Sequence, residues 1–398
     1  FTHDATMEAV NSSIDIPTTI GGTATANSKG YIKDSGTTLV IHFANAISNL
    51  KTVASWDGFF REFSNLESIE GLSLIDTSTV TSMKEVFKDC SKLTTVALGD
   101  IDISHVTTVE SVFENCEGLS GLTGNIGGFT ALQNAKNAFK NCKLLTAFGI
   151  NAGSADTLTN LEGVFSGCEN LTTVYAQSMN LTNVDTVKDM FNGCKKLTTF
   201  VAGSNSNLAT VSNLEKMFYD CESLTTLPAI HITSDRVTTM KAMFASCSNI
   251  TQVGIVSAKT DNLVSDGLVD MFLNCKKLTT VVFGQGFVLG NATDLTNMFS
   301  GCESLTYLDL SSFSSNSVEN VTDMFKNNKK LTTIIASNSF AVKGKTGDEM
   351  FLNCEKLVGG EFPEELKDIF TEEGGLFPTP KEISFSCSCP DWAMMCKH

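Results

Sequence analysis

The chain has 398 residues, of which 42% are hydrophobic and only 18% charged, with a formal net charge of −16 and a pI near 4.7. That length fits two or three globular domains or one long repeat array, and the low charge leaves a surface built from Ser, Thr, Asn and Gly. With only two arginines, Arg61 and Arg236, and a strong acidic excess, the chain is expected to be a poor non-specific nucleic-acid binder, and anionic membranes should repel it. No stretch approaches the roughly 18 consecutive apolar residues of a membrane-spanning helix. The chain starts at Phe1 rather than methionine, so the lack of a leader carries no weight.

Taken in chain order, residues 1–58 carry no repeat motif. Thr37 to Phe43 reads as a strand, and Gly21, Gly22 and Gly30 punctuate the segment. A repeat array needs its first unit covered, so this segment is expected to be an N-terminal cap.

From 59 to 360 the sequence is periodic. Cysteines stand at 90, 116, 142, 168, 194, 221, 247, 275 and 302, at steps of 26 to 28 residues. The next steps land on Asn328 and Cys354, and stepping back from Cys90 reaches a degenerate first copy around Phe63. About twelve units result, each built on Met-Phe-x-x-Cys-x-x-Leu-Thr-Thr-apolar. In one unit Val80, Met83, Phe87 and Cys90 fall at steps of three, four and three, the spacing of one face of a helix. Leu93, Val96 and Leu98 follow at the spacing of a short strand. Neither piece can stand alone, so stacked copies must share one core. The expected fold is therefore an α/β repeat: a leucine-rich-repeat solenoid with a parallel β-sheet on the concave face and helices on the convex face. The cysteine column is expected to be structural, buried and free of disulfides, with Asn328 occupying the same ladder position.

Phrases such as Leu308-Asp-Leu-Ser-Ser-Phe and Val321-Thr-Asp-Met-Phe resemble the BspA-type leucine-rich repeats of bacterial surface proteins, mycoplasma lipoproteins and some protists. The resemblance covers about 60 to 357. It implies the fold and leaves the target open.

Beyond the repeats, 361–380 reads as a C-terminal cap helix and linker. Pro363 opens the helix with acidic residues in its first turn, and Gly374 and Gly375 end it. Residues 381–398 carry Cys387, Cys389, Cys396 and His398, three thiolates and one imidazole, the donor set of a closed tetrahedral zinc site. The C-x-C-x₆-C-x-H pattern with its Pro390-Asp-Trp insert resembles the SWIM zinc finger. That resemblance implies Zn²⁺ held by these four residues, and a contact role with protein or DNA. In the family a helix follows the histidine; here the sequence reaches only His398, and a truncated copy is the expectation.

No catalytic constellation emerges. His3, His42, His105 and His231 pair with no nucleophile, and no phosphate loop, nucleophile elbow or H-E-x-x-H occurs. Gly284-Gln-Gly-Phe-Val-Leu-Gly290 misfits a dinucleotide loop by one place and reads as a repeat loop. The chain is expected not to be an enzyme. Its binding surface is expected on the strand face, where outward residues form two small, hydroxyl-rich, nearly uncharged columns. Tyr175, Thr199, Thr226, Thr280, Tyr307 and Asp309 are the candidate contacts, with the two tyrosines as anchors for a protein or glycan partner. The competing reading is a nucleic-acid-associated adaptor acting through the zinc segment. Ten buried thiols and a thiolate metal motif favour the cytoplasm, against the cell-surface or secreted habit of the repeat family.

Overall fold

The computed structural model describes residues 54–358 apart from 99–100, 123–127, 150–155, 177–179, 203–206, 227–230, 256–257, 285, 314, 337–339 and 347–348, and also the backbone of 12–15, 28–33 and 38–43. The strands, in order, are β1 (Ser12–Asp15), β2 (Ser28–Lys33), β3 (Thr38–Phe43), β4 (Leu66–Glu70), β5 (Thr95–Val96), β6 (Gly121–Leu122), β7 (Ala147–Gly149), β8 (Thr173–Ala176) and β9 (Thr199–Ala202). They continue with β10 (Asn207–Leu208), β11 (His231–Ile232), β12 (Gln252–Ile255), β13 (Thr280–Phe283), β14 (Tyr307–Leu310), β15 (Ser315–Asn320), β16 (Thr333–Ala336) and β17 (Phe340–Thr346). At the N-terminal end β1, β2 and β3 pair antiparallel, and β3 lies parallel to β4, so the first repeat strand is joined by backbone hydrogen bonds to the segment before it.

The rest is a parallel-strand β-solenoid whose paired strands define about eight turns. On one wall β5 pairs with β6, β7 with β8 and β8 with β9, β12 with β13, and β14 with β16, all parallel. The register is the one the repeat phase predicts: Ala147 faces Thr173 and Thr199, Gln252 faces Thr280, and Tyr307 faces Thr333. Alternation sets the faces. Phe148, Val174, Phe200, Val253, Val281 and Leu308 point into the core while their neighbours point out. A second wall is a run of single bridges, from Ser55 through Ser82, Thr108, Asn134, Asn160, Thr186 and Asn213 to Thr239.

The expected convex helices are not there. The segment from Met83 to Cys90, and its counterparts, form consecutive tight turns, and the one α-helix among the described residues is Glu355–Val358. The paired strands carry about eight turns rather than twelve helix-bearing repeats. The reason is visible in the backbone. Alternate N–H groups, those of Met83, Glu85, Phe87 and Asp89, donate to Thr108, Glu110, Val112 and Glu114 of the next rung at 2.8 to 3.0 Å. The intervening Lys88 and Cys90 N–H groups close turns onto Glu85 and Phe87. An α-helix would spend these donors internally, and neighbouring helices pack 8–10 Å apart, about twice the strand spacing of roughly 4.8 Å. The turns let both walls keep one spacing.

Two left-handed residues per rung make the turns possible. Position five before the cysteine (Glu85, Ser111, Asn137, Asp189) and position one before it (Asp89, Asn115, Asn141, Asn274) all have φ between 54° and 64°. Asn, Asp and Gly tolerate this region best, and the residue before the cysteine is one of these in every rung from Cys90 to Cys354 except Ser246. At Gly167 the need is doubled: φ is 75°, and an added Cβ would lie 2.2 Å from the Asn141 Oδ1.

The core is one continuous column. Twelve phenylalanines, from Phe60 through Phe87, Phe113, Phe139, Phe165, Phe191, Phe218, Phe244, Phe272, Phe299 and Phe325 to Phe351, stack ring on ring. Their centroids lie 5.1 to 5.8 Å apart with planes within 21°. The stack thus runs further than the paired strands do. Leucine and methionine columns pack beside it.

Candidate functional site: the strand face

Every rung enters its strand through Leu-Thr-Thr or a variant, and the two hydroxyl positions do different things. The first is structural. Its hydroxyl donates to a backbone carbonyl one rung back, as from Thr172 to Thr146 at 2.9 Å, Thr198 to Thr172 at 3.1 Å, Thr251 to Thr225 at 3.0 Å and Thr332 to Thr306 at 2.9 Å. The second starts the strand and points outward. Thr199, Thr226 and Thr280 at this position are exposed.

The candidate residues read from the sequence all lie on this outward face. Tyr175 is on β8, Thr199 on β9, Thr226 is bridged to Gln252, Thr280 is on β13, and Tyr307 and Asp309 are on β14. The two tyrosines are 50% and 47% exposed. They stand five rungs apart, roughly 24 Å at the usual strand spacing, so the fold does not bring them into one patch. The sequence reading passed over Val282 and Ile335, 48% and 42% exposed. Both stand in the same outward column as Asp309, and an apolar residue at an outward strand position was the signal. Of the six large hydrophobic side chains exposed among the described residues, four (Tyr175, Val282, Tyr307, Ile335) are on this face. The outward columns carry a single charge, Asp309.

The opposite, turn-bearing wall is the charged one. Lys84–Glu110 at 2.9 Å, Lys88–Glu114 at 3.0 Å, Lys136–Glu162 at 3.1 Å, Lys188–Glu215 at 2.9 Å and Lys241–Asp266 at 2.7 Å tie successive rungs. The carboxylates there are engaged in pairs and turns rather than converging on a pocket. His105 is exposed, with its ring nitrogen 3.1 Å from the Ser104 hydroxyl. The glycine-rich stretch at 284–290 holds Phe287 in the core, its ring 4.4 Å from Phe283, so it serves packing.

The ten ladder cysteines are buried and free. They do more than fill space. Each thiol donates to the carbonyl of a phenylalanine in the rung before it, at 2.9 to 3.2 Å. Phe87 O, for example, accepts the Cys90 N–H at 3.1 Å and the Cys116 thiol at 3.0 Å. Burial pushes the thiols of Cys90, Cys168, Cys247 and Cys354 up to about 12, and raises the others too. They therefore stay protonated, as a donor must. Asn328 takes the ladder position between Cys302 and Cys354, fully buried, but its side-chain amide finds no partner.

The zinc ligand set Cys387, Cys389, Cys396 and His398, the nucleic-acid adaptor reading that depends on it, and the cap helix expected at 361–380 lie outside the described residues. Among the described residues no group of three or more His, Cys, Asp or Glu side chains could hold a metal ion. Among them also, no helix is long and apolar enough to cross a membrane.

Known structures similar to this chain include leucine-rich-repeat proteins. It is similar to the structure of a leucine-rich cell-surface protein of Faecalibacterium prausnitzii, at 18% identity, covering 84% of this chain and 93% of that one with a TM-score of 0.39. The same values hold for a leucine-rich-repeat protein of Bacteroides ovatus. An internalin of Listeria monocytogenes is also similar, at 18% identity, 82% and 87% coverage and a TM-score of 0.27. We take no residue correspondence from these likenesses. An uncharacterized protein of Mycobacterium tuberculosis is 53% identical over 45 residues, 11% of this chain, and the chain spans 16% of that relative's length.

The cytoplasmic expectation is overturned. The similar protein of Faecalibacterium prausnitzii is one of the cell surface, and the cytoplasmic location is not kept for this chain. The inference from free thiols fails on physical grounds as well. A thiol that is fully buried and protonated cannot present the thiolate that oxidation and exchange require, so its freedom says nothing about the compartment. The profile of one family matches residues 39–148, 133–257 and 238–360, and with four fifths of its length so covered the chain belongs to the mycoplasma protein family of unknown function DUF285.

Proposed function

We propose that this protein is a non-enzymatic binding scaffold, at the cell surface or secreted, that engages a protein partner through the strand face of its solenoid. One observation carries the reading: exposed large apolar side chains collect on that face, on a field of threonine almost without charge. Interface cores are depleted of charge and enriched in tyrosine, and a few such side chains supply most of the affinity. The phenylalanine stack supports twelve rungs behind this face, and the strands at β1 to β3 serve as its N-terminal cap. The test is photo-crosslinking. A crosslinker installed at Thr199 or Thr280 should capture a partner, and one at Lys88 on the turn wall should not. Capture confined to the turn wall would reject the reading.

We also propose that Cys387, Cys389, Cys396 and His398 hold one zinc ion, on the chemistry of the donor set. Elemental analysis of purified protein should find about one zinc per chain, and well under one would reject it.

A further inference from the structure

We propose that the partner segment that docks on the strand face is cationic: a Lys or Arg seated on Asp309 and flanked by apolar side chains. This inference rests on the strand face being the binding face, and names what it takes.

Three of the four large apolar side chains exposed on that face fall around one carboxylate. Asp309 stands in β14, with Ile335 of β16 directly beside it in the parallel register. β13 runs along its other side and presents Val282 in the same outward column. Tyr307 precedes Asp309 by two residues on the same strand and shares its outward side. At the usual strand spacing, Val282 and Ile335 are two rungs apart, roughly 10 Å, with Asp309 between them. The carboxylate is oriented rather than loose, because Asp309 Oδ1 accepts the Ser311 N–H at 2.8 Å. Among the described residues no lysine or arginine pairs with it.

Charge decides between occupants. A second copy of this chain docked about a two-fold axis at this patch would bring Asp309 against Asp309, and any second copy also carries −16. A carboxylate covered by a neutral apolar partner would be left buried and unpaired, which is costly. A cationic side chain removes that cost with a charge-assisted hydrogen bond, and arginine can also lay its plane on the Tyr307 ring. Val282 and Ile335 then take the apolar neighbours of the cation.

The experiment uses the full chain and a displayed random-peptide library as the probe. Selection should enrich peptides with Lys or Arg next to aliphatic or aromatic residues. Asp309→Asn should weaken the selected peptides about tenfold or more. Tyr175→Ala, five rungs away, should leave them unchanged. Enriched peptides that depend on Val282 or Tyr307 but carry no cation, or that bind Asp309→Asn equally well, overturn this inference and leave the strand face as the binding face. Peptides indifferent to every strand-face variant overturn both.

Discussion

The strand wall and the turn wall are built from the same rungs yet spend their hydrogen-bonding groups in opposite ways. On the turn wall nearly everything is used internally. Alternate backbone N–H groups bond the next rung, thiols bond phenylalanine carbonyls, and lysines and carboxylates pair across rungs. On the strand wall the backbone and the first threonine are committed, but among the described residues the outward side chains are not tied from rung to rung. One wall holds the stack together and the other is left with side chains to offer. Stability should therefore be sensitive to changes behind the turn wall and nearly indifferent to the outward strand positions, while binding should show the reverse.

The largest effect expected is alkaline. Burial pushes the thiols well above their ordinary range in the folded chain, to about 12 for Cys90, Cys168, Cys247 and Cys354. With folded values raised, the stability they contribute is complete below the ordinary thiol pKa of about 9, and is lost as pH rises from there toward 12. Each thiol that ionises only in the unfolded chain removes about 1.4 kcal/mol per pH unit, so ten of them remove on the order of 10 kcal/mol per unit. Denaturant midpoints followed between pH 8 and 11 should collapse steeply above about pH 9. A shallow decline would mean the thiols are not the buried, protonated donors described.

Next in size is a gap in the aromatic column. Phe218→Ala removes a ring stacked at 5.5 Å on Phe191 and at 5.7 Å on Phe244, and should cost about 3–5 kcal/mol. Chemical denaturation measures it, and a loss under about 1 kcal/mol would show that the stack contributes little.

A gain is expected at Asn328. Cysteine there would remove two buried polar atoms without partners and restore the thiol ladder toward Phe299 O, which among the described residues accepts the Cys302 N–H at 3.2 Å and no thiol. Asn328→Cys should stabilise the chain by about 1–3 kcal/mol. Destabilisation would place an unseen partner at Asn328.

The smallest effect belongs to the outward face. Tyr175→Ala and Thr199→Ala should shift stability by no more than about 0.5 kcal/mol. A loss comparable to that of Phe218→Ala would mean that these side chains are structural and would remove the contrast between the walls.

Much of this was legible in the residues. The 26-to-28-residue step, the burial of Cys116 or Leu197 and the outward positions of Tyr175 and Tyr307 all follow from periodicity, because a repeat that cannot bury its own apolar face must stack in phase. The helix was misread because steps of three, four and three suit two consecutive turns as well as a helical face. The corrective sign was present in the Asn, Asp and Gly residues that precede the cysteines, such as Asn141 and Gly193, which suit a left-handed backbone. Val282 and Ile335 are passed over in the sequence because a face read as small and hydroxyl-rich directs attention to its tyrosines, threonines and one carboxylate.

What the chain's own order of residues determined is the stack: its period, its register and which side chains lie inside. What only the tertiary structure decided is the use of each polar group. The acceptor of the Cys116 thiol is 29 residues away at Phe87, and the acceptor of the Phe87 N–H is 25 residues on at Val112. Such partners are neighbours only once the rungs are laid on one another, and no local pattern states whether a backbone donor will turn inward to its own helix or across to the next rung.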